Sequence, residues 1–513
     1  MNAHLVVAPI VLPLAVAALL LLIGDRHHLL KAAVSVGACV LLVFAAVALV
    51  TSAAGSTVHV YRLGDWPAPF GIVLAADRLS AMMVLLAAGL ALAALVFSLA
   101  RWHSSGAHFH SLVHFLLAGL NGAFLTGDLF NLFVFFELLL AASYGLALHG
   151  SGVRRVRAGL HYIVVNLAAS LLFLVGVSLM YGIAGTLNMA DLAVLLPEID
   201  PGDRALLEIG AAMLGIAFVV KAGMWPLGFW LPTTYTAAPA PAAALFSILS
   251  KVGVYAIVRV WTLVFGGGTG AEFLAYGGMV TMAFGVIGLL SSQDLGRLAS
   301  FSLFISSGTV FAAIGLGGPM ATAAGLYYLV ASTLGIAALF LLIELVERAR
   351  PPAADLLAVT AEAFGLRDDD EEPEEEVGLV IPAAMAALGL SYVCAAVIVA
   401  GLPPLPTFLA KFAILAGLLA EPTPGAVWLL LGLIVLSGVA AVISFGRAGV
   451  RIFWASNLSV PRVRLVEIVP VAGLIAACIA LTIGAGPVLG YLYEAAMALH
   501  VPGGYIRDVL SEP

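Results

Sequence analysis

Four ionisable residues lie inside long apolar stretches of this sequence. Three are lysines, from a chain that has only four, and one is a glutamate: Lys221, Lys251, Lys411 and Glu137. An ionisable group at the centre of a bilayer costs about 2.5–3.5 kcal/mol on insertion scales. Glu137, Lys251 and Lys411 lie too far from the ends of their stretches for the side chains to reach the bilayer surface. We therefore expect these groups to face the interior of a helix bundle, near each other or near water.

Proton transfer is the chemistry that such residues support. Burial disfavours the charged form of a lysine, and a nearby carboxylate favours it. A buried lysine whose partner moves or is neutralised can therefore release and recapture a proton. Four such sites predict a proton relay, and the alternative is that the charges are static links between helices.

Other polar residues are weaker candidates for the same relay. His114 and His161 could carry protons, but hydrogen-bonded core histidines are the simpler interpretation. Hydroxyl side chains form one face of two later apolar stretches and could hold a water chain or bridge helices. These are Ser306, Ser307, Thr309, Tyr327, Tyr328, Ser332 and Thr333.

Three further charges are expected to be structural. Asp77 and Asp128 each precede an apolar stretch, which is typical of a carboxylate at a helix N-terminus. Arg259 lies late in its stretch, and we expect its side chain to extend to the bilayer surface.

The composition predicts an all-α membrane protein. Hydrophobic residues make up 63% of the 513-residue chain and charged residues 10%, with a mean hydropathy of +1.13. Lipid requires every backbone polar group to be satisfied internally, and continuous apolar runs of about 20 residues favour helices over barrel strands. No basic stripe suggests nucleic acid binding. Cys39, Cys394 and Cys478 are far apart and are expected to be small buried hydrophobes, so the sequence predicts no metal site and no cofactor.

About fourteen transmembrane helices are expected from the apolar runs. Their limits are 4–24, 29–51, 78–100, 110–126, 128–148, 160–183, 205–223, 241–265, 272–291, 298–316, 320–346, 378–420, 426–447 and 466–488. The seventh is followed by Pro226, and Pro403, Pro404 and Pro406 interrupt the twelfth, so both are expected to be broken. The acidic run 368–376 is expected to be a solvated loop between helices.

The basic residues predict how the chain is oriented in the membrane. Loops after odd-numbered spans hold fourteen lysines and arginines, and loops on the other side hold four. Because basic residues concentrate in cytoplasmic loops, both termini are expected to face away from the cytoplasm.

Four segments carry a family resemblance. They are GDLFNLFVFFELLLAASYGL (127–146), VVKAGMWPLGFWLPTTYTAAPAPAAALFSILSKVGVYAIVR (219–259), QDLGRLASFS (293–302) and GLPPLPTFLAKF (401–412). Together they resemble the antiporter-like subunits shared by respiratory complex I and the Mrp-type cation/proton antiporters. The phrases WLPTTY and LYYLVASTL look most like the D-type subunit of the Mrp group, including its Pha-type potassium/proton members.

The resemblance implies two inverted five-helix repeats, each with one broken helix. It divides the chain into N-terminal helices (1–109), a first repeat (110–265), a second repeat (266–450) and a C-terminal helix and tail (451–513). Glu137 and Lys221 would form the charge pair of the first half, Lys251 the central link, and Lys411 the terminal site. Three positions depart from the family pattern: Ala331 replaces a usual histidine, Thr407 a usual glycine, and Gly228 a histidine common in complex I relatives.

The leading functional prediction is a proton-translocating subunit of a multi-subunit sodium or potassium/proton antiporter in the cell membrane, working with other membrane subunits. The first alternative is the proton-pumping subunit of a redox enzyme of the complex I type. The second is a scaffold whose buried charges are inert.

Overall fold

The computed structural model describes residues 4–24, 26–55, 57–68, 70–268, 270–348, 383–420, 425–453 and 463–511. The described chain is α-helical apart from short 3₁₀ turns, connecting loops and one antiparallel hairpin, β1 (His59–Arg62) and β2 (Val73–Ala76). The helices are α1 (His4–Leu22), α2 (His28–Ala53), α3 (Arg78–Ser98), α4 (Phe109–Leu125), α5 (Leu129–Ala147), α6 (Val153–Ala184), α7 (Met189–Leu195), α8 (Pro201–Ala222), α9 (Trp230–Ala237), α10 (Ala240–Val264), α11 (Ala271–Ser291), α12 (Leu295–Leu316), α13 (Pro319–Arg348), α14 (Ala383–Ala400), α15 (Pro406–Leu419), α16 (Gly425–Phe453), α17 (Leu465–Ile483), α18 (Ala485–His500) and α19 (Gly503–Leu510).

The helices confirm an all-α, multi-pass membrane protein. Among the described residues, thirteen helices are long and apolar enough to cross a membrane, and α4 and α15 are shorter apolar helices. Counting α14 and α15 as one broken crossing and adding α4 gives the fourteen crossings that the sequence predicts.

Both predicted helix breaks are present. The helix α8 ends at Ala222, and α14 ends at Ala400. Each is followed by a glycine with positive φ, Gly223 at 71° and Gly401 at 75°, a conformation that glycine adopts without steric cost. Prolines follow in each linker, and they cannot supply the backbone N–H that a continuing helix needs.

Three helices form the centre of the bundle. The most apolar 18-residue stretch of α10 is completely buried, and those of α12 and α13 are 94% and 89% buried. Helices α1, α2, α16 and α17 bury only a third of theirs, so their outer faces contact the surroundings of the chain. A charge on α10 is therefore held inside protein. Cys39 and Cys478 are buried as predicted, whereas Cys394 is only half-buried.

Several predicted helix limits are wrong. Helix α6 begins at Val153 rather than near 160, so three arginines assigned to a loop (Arg154, Arg155 and Arg157) lie in its first turns. A search for apolar runs excludes basic residues, although a helix can continue past the hydrocarbon layer. The predicted tail after the last span also contains two further helices, α18 and α19. The acidic run 368–376 and the predicted start of the twelfth span at 378 lie outside the described residues.

The first and last described helices meet at the same end of the bundle. The His4 ring of α1 lies 5.9 Å from the Tyr61 ring of β1. Beside the same hairpin, the backbone N–H of Val58 donates to the Asp508 carboxylate of α19 at 2.9 Å. This placement agrees with an even number of crossings.

All three charges expected to be structural have structural roles, but the predicted surface position of Arg259 is wrong. Asp77 and Asp128 cap α3 and α5, accepting backbone hydrogen bonds from Ser80 and Asn131 at 2.9 Å each. Arg259 does not extend to a surface. It is 5% exposed and forms an ion pair with Asp77 at 2.7 Å. The prediction fails because this partner is far away in the sequence.

Candidate functional site

Lys251 lies on the central helix α10 and is completely buried, with 0% exposure. Its Nζ donates hydrogen bonds to the hydroxyls of Ser306 and Ser307 on α12, each at 2.8 Å. These hydroxyls replace part of the hydration that the ammonium group loses on burial. The lysine is therefore held by neutral partners that can both accept and donate a proton.

The hydroxyl face predicted from the sequence continues this network to α13. The Ser306 and Ser332 hydroxyls are hydrogen-bonded at 2.7 Å, and the Ser332 hydroxyl donates to the Tyr328 carbonyl at 2.6 Å. Thr333 donates instead to Leu329 within its own helix at 2.6 Å. The structure thus links Lys251, Ser306 and Ser332 into one chain across three central helices.

Lys411 lies at the second helix break. The residue is 6% exposed, and its Nζ donates to the carbonyl of Ala400, the last residue of α14, at 3.0 Å. Carbonyls at a helix end lack intrahelical partners and are free to accept such a bond. The same Nζ lies 6.0 Å from the centre of the Tyr328 ring, so Lys411 is near the residue whose backbone carbonyl accepts the last bond of the central hydroxyl chain. A Cβ on Gly401 would lie 2.7 Å from this Nζ, so glycine leaves the space that the ammonium group occupies.

Lys221 lies at the first helix break, one residue before the end of α8. The residue is 7% exposed, its Nζ donates to the Ser170 hydroxyl on α6 at 3.3 Å, and it lies 5.1 Å from the centre of the Phe136 ring. Glu137 is the next residue along α5, and it is half-buried rather than fully enclosed in the bundle. In the described structure, Lys221 and Glu137 do not form an ion pair within 4 Å, and Glu137 Oε1 is buried without a hydrogen-bond partner. Buried carboxylate oxygens are rarely left unpaired, so this arrangement fits a site that a proton or water enters.

The first break packs directly against the helix that carries Lys251. A Cβ on Gly253, two residues after Lys251, would overlap the backbone nitrogen of Ala222 and lie 2.7 Å from the backbone carbon of Lys221. Glycine therefore allows α10 and the end of α8 to touch backbone to backbone. This contact fixes the position of Lys221 relative to Lys251.

We expect Gly253→Ala to destabilise the protein by about 1–3 kcal/mol, since the added methyl group forces two backbones apart. The matched control is Gly215→Ala on α8, where a Cβ would meet nothing within 4 Å. There we expect no loss, or a gain of up to about 1 kcal/mol from the better helix former. Unfolding of both variants in detergent by SDS titration measures the difference. Equal stabilities would show that the close contact is unimportant.

The two histidines occupy different environments. His114 is buried and hydrogen-bonded to the Ser35 hydroxyl at 3.0 Å, as expected for a core histidine. His161 is exposed beside Phe229, with ring centroids 5.4 Å apart, so the expectation of a core position is wrong. One helix sequence does not reveal which face of α6 the bundle covers.

Comparison with known proteins identifies the family. Residues 126–444 match the family model described as "NADH:quinone oxidoreductase/Mrp antiporter, TM", and this range covers Glu137 and all three buried lysines. The match spans more than half of the chain. The chain belongs to this antiporter family.

Similar members of the antiporter family extend over the whole chain. The D-type subunit of a probable K(+)/H(+) antiporter from Rhizobium meliloti (strain 1021) is 56% identical, over 99% of this chain and 98% of its own length. The D-type subunit of the Na(+)/H(+) antiporter from Bacillus subtilis (strain 168) is 34% identical, over 99% of this chain and 100% of its own length. A chain in the Mrp complex from Dietzia sp. DQ12-45-1b is 25% identical and superposes with a TM-score of 0.86 over 100% of both chains. A chain of Thermus thermophilus respiratory complex I has the same fold, with 23% identity and a TM-score of 0.76 over 96% of this chain and 99% of its own.

Two departures from the family pattern have visible structural correlates. A Cβ on Gly228 would overlap the carbonyl oxygen of Gly223, so this loop has no room for a side chain at that position. The Thr407 hydroxyl donates to the carbonyl of Ile398, which joins the two halves of the second broken helix. For Ala331, a central relay altered by loss of the histidine stays a prediction. The hydroxyl of its neighbour Ser332 belongs to the chain from Lys251.

Sequence reasoning missed the groups that hold the lysines. Ser170, the partner of Lys221, is one of several small polar residues in α6, and nothing in the sequence distinguishes it. Gly401 and Gly253 have no chemical signal, because their role is to leave space. Only Ser306 and Ser307 were foreseeable, since they recur on the polar face of an otherwise apolar helix.

Proposed function

We propose that this chain is the D-type subunit of a multi-subunit monovalent cation/proton antiporter, and that it translocates protons. The observation that carries the proposal is 56% identity over 99% of the chain to a relative named as the D-type subunit of a K(+)/H(+) antiporter. Relatives named as the corresponding subunit of Na(+)/H(+) antiporters also cover the full length. The transported metal ion is therefore a monovalent cation, sodium or potassium.

The proton path that we propose uses Glu137, Lys221, Lys251 and Lys411. Glu137 and Lys221 receive the proton at the first break, and Lys251 connects the two halves of the bundle. The Ser306 and Ser332 hydroxyls each accept one hydrogen while donating another, once the Ser332 hydroxyl turns away from the Tyr328 carbonyl. Water then carries the proton from Ser332 to Lys411, the last site. The bonds from Lys251 to two hydroxyls and from Ser306 to Ser332 support the central part of this path.

Electrostatics couples the sites along this path. When one buried lysine loses its proton, the positive charge that opposes protonation of its neighbour disappears. Inward proton flow through the chain would in this way drive cation export. We propose accessory roles in proton transfer for Ser307, Tyr328 and Thr333 on the central helices. His161 has no such role in this proposal, because its side chain is exposed.

The arrangement in the membrane follows from the same proposal. We place the end rich in arginine in the cytoplasm and both termini outside it, in the cell membrane. The two repeats are assigned to 110–265 and 266–450, each containing one broken helix. A structural neighbour is described as part of an Mrp complex, which supports other membrane subunits as partners of this chain.

Everted membrane vesicles test the proposal. The chain is produced with the proteins encoded beside it, in a host that lacks its own sodium and potassium antiporters. A pH-sensitive dye reports proton release when sodium or potassium is added. We expect cation-dependent dequenching with the complete set and none when this chain alone is omitted.

Two results would overturn this proposal. Undiminished exchange without the chain would show that other subunits suffice. Co-purification with hydrophilic iron–sulphur subunits would assign the chain to a redox complex, the alternative that the sequence left open.

A further inference from the structure

A cavity of about 610 Å³ lies between the start of α6, the helix α9 and the start of α12, and none of the proposed relay residues lines it. Its polar lining comes from Arg154, Arg157 and His161 of α6, Thr233 and Thr236 of α9, and Arg297 of α12. No acidic side chain is among its described lining residues. The cavity therefore gathers three guanidinium groups around one space.

No acidic partner of these arginines is found in the part of the chain that the structure describes. Within the described ranges, no carboxylate comes within 4 Å of Arg154, Arg157 or Arg297. The nearby Asp294 is used as a helix cap, accepting a hydrogen bond from the backbone nitrogen of Arg297 at 2.9 Å. Three like charges facing one cavity repel each other, and an anion held between them removes that repulsion. Guanidinium groups also bind phosphate oxygens through paired hydrogen bonds.

An apolar stripe continues from this cavity along α6. Leu160, Val164, Leu167 and Leu171 follow at helical spacing and are 58–64% exposed. The distance from Arg157 to Leu171 is roughly 20 Å along the helix axis, comparable to an acyl chain. The surface thus changes from cationic to apolar along one line, which is complementary to a molecule with an anionic headgroup and an apolar chain.

We propose that this cavity binds the phosphate headgroup of an anionic phospholipid, whose acyl chains lie along the apolar stripe of α6. A free phosphate ion shares the headgroup chemistry, but it would leave the stripe uncovered. Basic pockets between transmembrane helices are known to favour such headgroups. The bound lipid connects α6 to α12, and so the first proposed repeat to the second.

Native mass spectrometry of the purified complex tests the proposal. The complex is delipidated and then exposed to equal amounts of phosphatidylglycerol and phosphatidylcholine. We expect preferential retention of phosphatidylglycerol, reduced roughly 25-fold in Arg154→Gln/Arg157→Gln, since each arginine contributes about fivefold. The control is Arg26→Gln/Arg447→Gln, which removes two exposed arginines of the same basic end outside the cavity and should retain the preference.

Two further measurements identify the molecule that binds in the cavity. Excess glycerol phosphate should not displace the lipid, and displacement would instead assign the cavity to a soluble anion. A photo-crosslinking residue at Leu160 should yield lipid adducts in the complex. Adducts with another subunit instead, or equal retention of the two lipids, would overturn the proposal.

Discussion

Lys251→Met is expected to abolish cation/proton exchange while the chain still folds and enters the membrane. Lys251 is completely buried on α10 and donates to the hydroxyl chain of α12 and α13, and we propose that it connects this chain to the first break. Methionine has a similar length and no ionisable group, so proton transfer through this point stops. We expect a loss of roughly a hundredfold or more, as for removal of a proton-transferring group. Folding should survive, because replacing a buried charge by an apolar side chain of similar volume is often neutral.

Dye quenching in everted vesicles measures this effect, with the amount of protein in the membrane determined in parallel. Ser247→Ala is the matched control. Its hydroxyl lies one turn earlier on the same helix and donates only to Ala244 within that helix, at 2.6 Å. We expect exchange close to that of the unchanged protein in this control. Normal exchange in Lys251→Met would mean that protons bypass the central helix.

Arg259→Leu is expected to cause the largest loss of stability. The change leaves the Asp77 carboxylate, 12% exposed, without the guanidinium that lies 2.7 Å away. Breaking a buried pair from one side costs about 3–5 kcal/mol, because the remaining charge is uncompensated. The guanidinium also lies 5.2 Å from the centre of the Tyr505 ring, so α3, α10 and α19 all lose a shared contact.

SDS titration of the purified protein in mixed micelles measures this loss. Arg204→Leu is the control, since its pair with Glu208 is 66% and 67% exposed and should contribute less than about 1 kcal/mol. Adding Asp77→Asn to Arg259→Leu should restore part of the stability. Asparagine keeps the cap of α3 without the charge. Equal stabilities of Arg259→Leu and Arg204→Leu would show that the buried pair stabilises the fold no more than an exposed pair does.

The features that the sequence predicts well are those that each local stretch determines. Apolar runs define the crossings, Pro226 and Pro403 define the breaks, and the high cost of charge in lipid identifies Glu137 and the buried lysines. These signals are strong because a membrane-spanning helix has few ways to satisfy them. The predicted limits accordingly match most helices to within a few residues.

The features that the sequence does not predict depend on how helices far apart in the chain pack against each other. Ser170 becomes the partner of Lys221 because α6 crosses α8 closely, where a Cβ on Gly176 would lie 2.7 Å from the Gly210 carbonyl oxygen. Arg259 reads as a surface residue because its partner is 182 positions away. His161 fails for the same reason, since a single helix does not show which of its faces is covered.

Proton flux in Glu137→Ala and Lys221→Ala tests the central claim most directly, namely that the Glu137 carboxylate and the buried lysine amines relay protons. Both variants are assayed by dye quenching in everted vesicles, at membrane levels matched to the unchanged protein. We predict that each variant inserts normally and has no cation-dependent exchange. Normal exchange in either variant would contradict the relay.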